Sequence, residues 1–138
     1  MCVGLRQFHG MQQFKAAHHV HTTNSDGLDT LASVVEDHYS KDYDILAITD
    51  HQFLTQDWMT ADNPRPGYTT QPLSPARFAQ IAAGTDRGGR PMLMIPLTIE
   101  QSTHAHINTF DVDYRAPPGD NDNNIRLTLQ AVQNQNVQ

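Results

Sequence analysis

Four consecutive apolar residues, Ile45, Leu46, Ala47 and Ile48, closed abruptly by the polar pair Asp50-His51, limit the folds open to this chain more than any other feature. Residues 43–49 are too few for a helix of ordinary length. Their content suits a strand covered on both faces, as in a parallel sheet. Upstream, Leu31, Val34, Val35, His38 and Tyr39 recur at helical spacing, with Asp29 or Thr30 placed to cap the start and Lys41 near the end. Before that helix, Ala16, Ala17 and Val20 suit a further buried strand. The order is strand, helix, strand, and its right-handed crossover sets the carboxyl ends of the two strands side by side. That rim is where α/β folds keep their chemistry.

Metal-ligand side chains lie on that rim. Residues i and i+2 of an extended chain point to one side, so His19 and His21 present their imidazoles together while His18 and Val20 face away. The polar, glycine-closed loop 22–27 follows, and Asp26 within it is placed to bring a carboxylate back toward the imidazoles. His51 ends the second strand. A third cluster follows the same rule: residues 91–99 (PMLMIPLTI) read as another interior strand, in which Pro96 argues for a bulge or an edge. Glu100 comes directly after it and is the bridging carboxylate of this reading, because one carboxylate can give an oxygen to each of two cations. Residues 107–114 read as a fourth strand, and just before it either His104 or His106 can serve as a ligand.

In this order, His19-x-His21-Thr22, Ser25-Asp26-Gly27, Thr49-Asp50-His51, Glu100 and His106-x-Asn108 resemble the PHP family, the polymerase and histidinol phosphatase domain of metal-dependent phosphoesterases. The resemblance covers roughly residues 14 to 114 and rests on the combined order of motifs. It implies an α/β fold, here part of a distorted seven-stranded (β/α) barrel. It also implies up to three divalent ions, manganese, iron or zinc: His19, His21 and Glu100 around one, Glu100 and His106 at a second, Asp26 and His51 at a third. The expected reaction is hydrolysis of a small-molecule or nucleotide phosphoester by a metal-activated water, with no residue acting beyond the ligands themselves. The other reading is a noncatalytic metal-binding module that keeps part of the fold.

The family pattern continues with a histidine on a later strand and an Asp-x-His motif, and neither occurs after His106. The 138 residues are therefore expected to be a single PHP-like domain truncated at its carboxyl end, whose open sheet face would favour self-association. A lone Cys2 leaves nitrogen and oxygen ligands for the metal and no internal disulfide framework. The formal net charge of -6 argues against nonspecific nucleic-acid binding. With no signal peptide or membrane-length apolar segment in the sequence, a cytoplasmic location is expected.

The remaining conspicuous residues have plainer readings. His18 is structural, and His9 and His38 are surface or packing residues. Asp50 either orients its neighbour His51 or caps the next turn. Asp111 and Asp113 belong to a solvated sheet face. Between the second and third clusters, residues 55–90 contain Arg65, Arg77, Arg87 and Arg90, which either carry guanidiniums to a phosphate as a lid or merely keep an insertion soluble; the second reading is preferred. A short helix is expected near 74–83 and another at 124–135. Trp58 and Tyr68 are as plausibly anchors of the insertion as bases for stacking on a nucleoside.

Overall fold

The computed structural model describes residues 12–60, 66–67, 69–102, 105–117 and 122–135. Three short strands, β1 (Ala16–Ala17), β2 (Ile45–Leu46) and β3 (Leu93–Met94), form a parallel sheet in that spatial order, with Ala16 opposite Ile45 and Ile45 opposite Leu93. Backbone bonds carry the pairing beyond the formal strands. Thr49 N–H donates to Val20 O at 2.8 Å and Ile95 N–H to Leu46 O at 3.2 Å, so chain 44–50 runs between its two neighbours up to the rim.

Helix α1 (Leu31–Ser40) starts where Thr30 accepts from Ser33 N–H, so Thr30 is the cap and Asp29 is not. Its face Leu31, Val34, Val35 and Tyr39 packs into one core with Leu46, Ile48, Trp58, Leu73, Ile81 and Met92. Alternation along β2 explains the partition: Leu46 and Ile48 point to that core, whereas Ile45 shares the opposite face with Ala16 and Leu93. Helix α2 (Pro75–Ala83) takes Ser74 as its cap and Pro75 at its first turn, and ends on Gly84 in the left-handed region. A 3-10 turn (Thr85–Arg87) leads on to β3. Trp58 is fully buried against the Phe78 ring, 6.1 Å between centroids, and is therefore an anchor of the insertion. Tyr68 and Arg65 lie outside the described residues, as do His9 and His104.

Two strand expectations need correction. The run 91–99 is not one interior strand: pairing with β2 ends with the bond from Ile95 N–H, the chain turns at Pro96 and Leu97, the latter at a φ of 49°, and β4 (Ile99–Ser102) begins. Proline removes a ladder donor and the left-handed residue redirects the backbone. Leu93 itself is exposed. The expected strand 107–114 is shorter, β5 (His106–Thr109), and pairs antiparallel with β4 so that Glu100 lies opposite Asn108. Asp111, at a φ of 56°, interrupts it. Both Asp111 and Asp113 are exposed, as the solvated reading expects.

Helix α3 (Asp122–Gln135) closes the described chain, and Gln135 accepts from Asp113 N–H at 3.0 Å. Helices and strands are mixed, and the strands do not close into a barrel among the described residues. Among those residues no helix is long and apolar enough to cross a membrane.

Candidate metal centre

All six residues singled out in the sequence, His19, His21, Asp26, His51, Glu100 and His106, meet at the carboxyl rim of the sheet. Backbone pairing explains why. The continuation of β1 beside β2 sets 19–21 next to 49–51, and a parallel bridge joins His51 to Glu100, with Gln52 N–H donating to Glu100 O at 2.9 Å and Glu100 N–H to Asp50 O at 3.2 Å. The β4–β5 hairpin then pairs Ser102 with His106 and returns the latter to the carboxylate. The ring centroids of His21 and His51 are 4.3 Å apart, and those of His51 and His106 5.2 Å.

Glu100 is the centre of this group, and its side chain is 1% exposed. Its Oε2 lies 3.2 Å from His19 Nε2, 2.8 Å from His21 Nε2 and 3.1 Å from His51 Nδ1, while Oε1 lies 2.6 Å from His106 Nδ1. Asp26 forms a second hub, with Oδ1 2.7 Å from His21 Nδ1 and Oδ2 3.4 Å from His51 Nε2. Three overlapping triads result, each with ligand atoms mutually within 4.8 Å: His19, His21 and Glu100; His21, Asp26 and His51; His51, Glu100 and His106.

Proton accounting tests whether these atoms suit a cation. An ionised carboxylate only accepts, so the short contact to Asp26 takes the proton of His21 Nδ1, and the neutral form of His21 then has its lone pair on Nε2. That lone pair faces Glu100 Oε2. His19 Nε2 is 3.0 Å from His21 Nε2 as well, so three potential acceptor atoms crowd one point. The buried Glu100 Oε1 has no well-aligned hydrogen bond despite its closeness to His106. With the imidazoles neutral, such a cluster is stable only around something positive; with them protonated, N–H bonds to Glu100 take that place until a cation displaces the protons. The triangle edges of 2.8, 3.0 and 3.2 Å are close to the about 3.0 Å expected of adjacent octahedral ligands about 2.1 Å from a common ion and shorter than the about 3.4 Å of tetrahedral ones. Nitrogen and oxygen donors of this kind fit manganese, iron or zinc.

Local charge agrees. Burial works to raise the Glu100 carboxyl, but the positive fields of His51, His106 and His19 and the close approach of His106 Nδ1 outweigh it and hold the group below the usual glutamate range. For Asp26, burial is likewise outweighed by the bond from His21 and the fields of His51 and His21, and the carboxyl is lowered.

Residues behind the rim fix it. Asp50 is fully buried, and its Oδ1 accepts from Thr22 N–H and Ser25 Oγ–H, each at 2.6 Å, while Oδ2 accepts from Thr22 Oγ1–H at 2.7 Å. It therefore ties the loop that carries Asp26 to the strand that carries His51; the capping alternative is not what its side chain does. Gly27 lets that loop fold back, because a Cβ there would lie 2.6 Å from the His21 carbonyl carbon and oxygen. Sequence reasoning missed Ser102, whose Oγ is hydrogen-bonded to His51 Nδ1. Only its spacing of two from Glu100 on a strand would have suggested it.

The other residues sort as follows. His18 is exposed, with its ring edge-on to Phe110 at 6.2 Å, and His38 Nδ1–H donates to Val34 O at 2.8 Å. Among the described residues, Arg77, Arg87 and Arg90 do not form a lid over the rim. Arg77 pairs with Glu36 and Asp86, Arg87 donates to Tyr43 O at 2.7 Å, and Arg90 pairs with Asp42 and Asp44. Those partners lie on α1, on the 3-10 turn and before β2, at the end of the sheet opposite His51. No protein-family model matches the chain, and no curated protein matches it.

Proposed function

We propose that this chain is a metal-dependent phosphoesterase built on part of a distorted PHP-type (β/α) barrel, acting on a small-molecule or nucleotide phosphoester. The observation that carries the reading is Glu100, a buried carboxylate whose two oxygens face different histidines, as a residue shared between two ions must. His19, His21 and Glu100 would hold one ion, Glu100 and His106 a second, and Asp26 and His51 a third. Bound divalent ions would supply a hydroxide near neutral pH and stabilise charge on a phosphoryl group.

The chain's own residues do the positioning. Asp26 orients His21 through Nδ1 and so aims Nε2 at the ion, the usual role of a carboxylate behind a metal-bound imidazole. His19, His21 and Glu100 offer three ligands to the first ion, the number that leaves a position for water or substrate in catalytic sites. With Arg77, Arg87 and Arg90 held at the opposite end, compensation of phosphate charge falls to the ions.

Metal content by mass spectrometry, with turnover of p-nitrophenyl phosphate and bis-p-nitrophenyl phosphate, tests this. Two or more ions per chain, with turnover abolished in His19→Ala, are expected. One ion without turnover of either ester would replace the enzyme with the noncatalytic binding module.

A further inference from the structure

His51 belongs to two of the three triads, and which nitrogen carries its proton decides which of them it can serve. Membership with Glu100 and His106 needs a lone pair on Nδ1. Membership with Asp26 needs one on Nε2, which lies 3.4 Å from Asp26 Oδ2.

We propose that Ser102 selects the Nδ1–H tautomer of His51 and thereby commits this imidazole to the Asp26 side of the centre. The assignment follows from counting protons. The single hydroxyl proton of Ser102 points to Glu100 O at 3.3 Å, so the oxygen that meets His51 Nδ1 is an acceptor there. Glu100 Oε2, the other atom close to Nδ1 at 3.1 Å, only accepts when ionised. Two acceptors converge on Nδ1, both nearer than the single one at Nε2, where Asp26 Oδ2 stands off at 3.4 Å, so a neutral His51 carries its hydrogen on Nδ1 and keeps its lone pair on Nε2. The triad of His51, Glu100 and His106 then loses a ligand, and its ion rests on Glu100 and His106 alone. Ser102 is a positioning residue: it touches His51 and the backbone, and it reaches the ion only through the imidazole.

The assignment of the tautomer concerns the metal-free protein, and only the consequence for binding rests on the function proposed above. The first measurement is long-range proton–nitrogen NMR of the whole, chelator-treated chain labelled at histidine nitrogen, at pH 8. His51 is expected as the Nδ1–H form in the wild type, displaced toward Nε2–H in Ser102→Ala and restored in Ser102→Thr, which keeps the hydroxyl and suits a strand. An Nε2–H His51 in the wild type, or an unchanged tautomer in Ser102→Ala, overturns the proposal. Backbone amide spectra of both variants establish that they are folded.

The second measurement is calorimetric titration with Zn²⁺. Ser102→Ala is expected to weaken the event assigned by Asp26→Ala about 10- to 100-fold while sparing the event removed by His19→Ala. Equal weakening of both overturns the commitment of His51 to the Asp26 side. If Zn²⁺ does not bind at all, the metal reading fails while the NMR result still decides the tautomer.

Discussion

The Asp50 carboxylate and Thr22 are joined twice, through the Thr22 backbone N–H at 2.6 Å and through its hydroxyl at 2.7 Å. With the added bond from Ser25, a buried anion is satisfied wholly by neutral donors of one loop. Asp50→Ala removes both acceptor oxygens and leaves three donors unpaired, for an expected loss of about 3 kcal/mol or more. Asp50→Asn keeps one oxygen for Thr22 N–H and Ser25, and the Thr22 hydroxyl can rotate to accept from the amide; about 1 kcal/mol is expected. Urea unfolding checks both. In the folded Asn variant, affinity at Asp26 should fall while that at His19 is retained.

Gly27 is expected to tolerate no side chain. An alanine Cβ would meet His21 C and O at 2.6 Å and Thr22 N at 2.7 Å, all backbone atoms that cannot swing aside. Relief requires moving the 21–22 peptide, which carries a ligand and a partner of Asp50. Gly27→Ala should cost about 1–3 kcal/mol and weaken metal binding, because overpacking against backbone displaces it. A variant with wild-type thermal stability and zinc affinity would show that the loop has slack.

Sharing by Glu100 separates it from its neighbours. His106→Ala removes a ligand from Oε1 only, so about one ion per chain should be lost and the ion at His19 and His21 kept. Glu100→Gln removes the negative charge from both places and puts an NH2 group, which cannot ligate, in place of the oxygen at one of them. Its loss of affinity should exceed the about 10- to 100-fold typical of outer-shell partners and should affect two ions together. Metal counts in the two variants that match each other would contradict a bridging role.

Of the six candidate residues, His19, His21 and His51 were legible from two local rules, since alternation puts His19 and His21 on one side and strand ends in a parallel sheet lie on one rim; Asp26, in a loop, and Glu100 and His106, on an antiparallel hairpin, were picked out with the order of motifs in the family resemblance. What the sequence left open depended on contacts between distant segments. The antiparallel return of β5 on β4 hinges on Leu97 and Pro96 ending the third strand early, and apolar content alone made 91–99 look continuous. The arginines were read as surface in preference to a lid without sight of their partners: Glu36 is 41 positions from Arg77 and Asp44 is 43 from Arg87 in the chain, and no local pattern announces such pairs. Asp50 was ambiguous for a similar reason: its donors, Thr22 and Ser25, come from the preceding strand's loop.

Acid should weaken the metal-free protein through the same carboxylates. For Glu100, burial raises the carboxyl, but His51, His106 and His19 together pull it below its ordinary value of 4.5; Asp26 is likewise below 3.8. A folded-state value below the unfolded one means that the native state prefers the ionised group. The contribution is complete above the unfolded value and is lost as pH falls through the folded one. Urea unfolding of metal-free wild type and Glu100→Gln at pH 5, 4 and 3 reads this directly. The wild type should be the more stable at pH 5, with the gap narrowing once pH passes below 4.5. A gap that widens between pH 5 and 3 would mean that the buried carboxyl is held protonated, and the cluster of imidazoles around Glu100 would then lack the anion that a cation site requires.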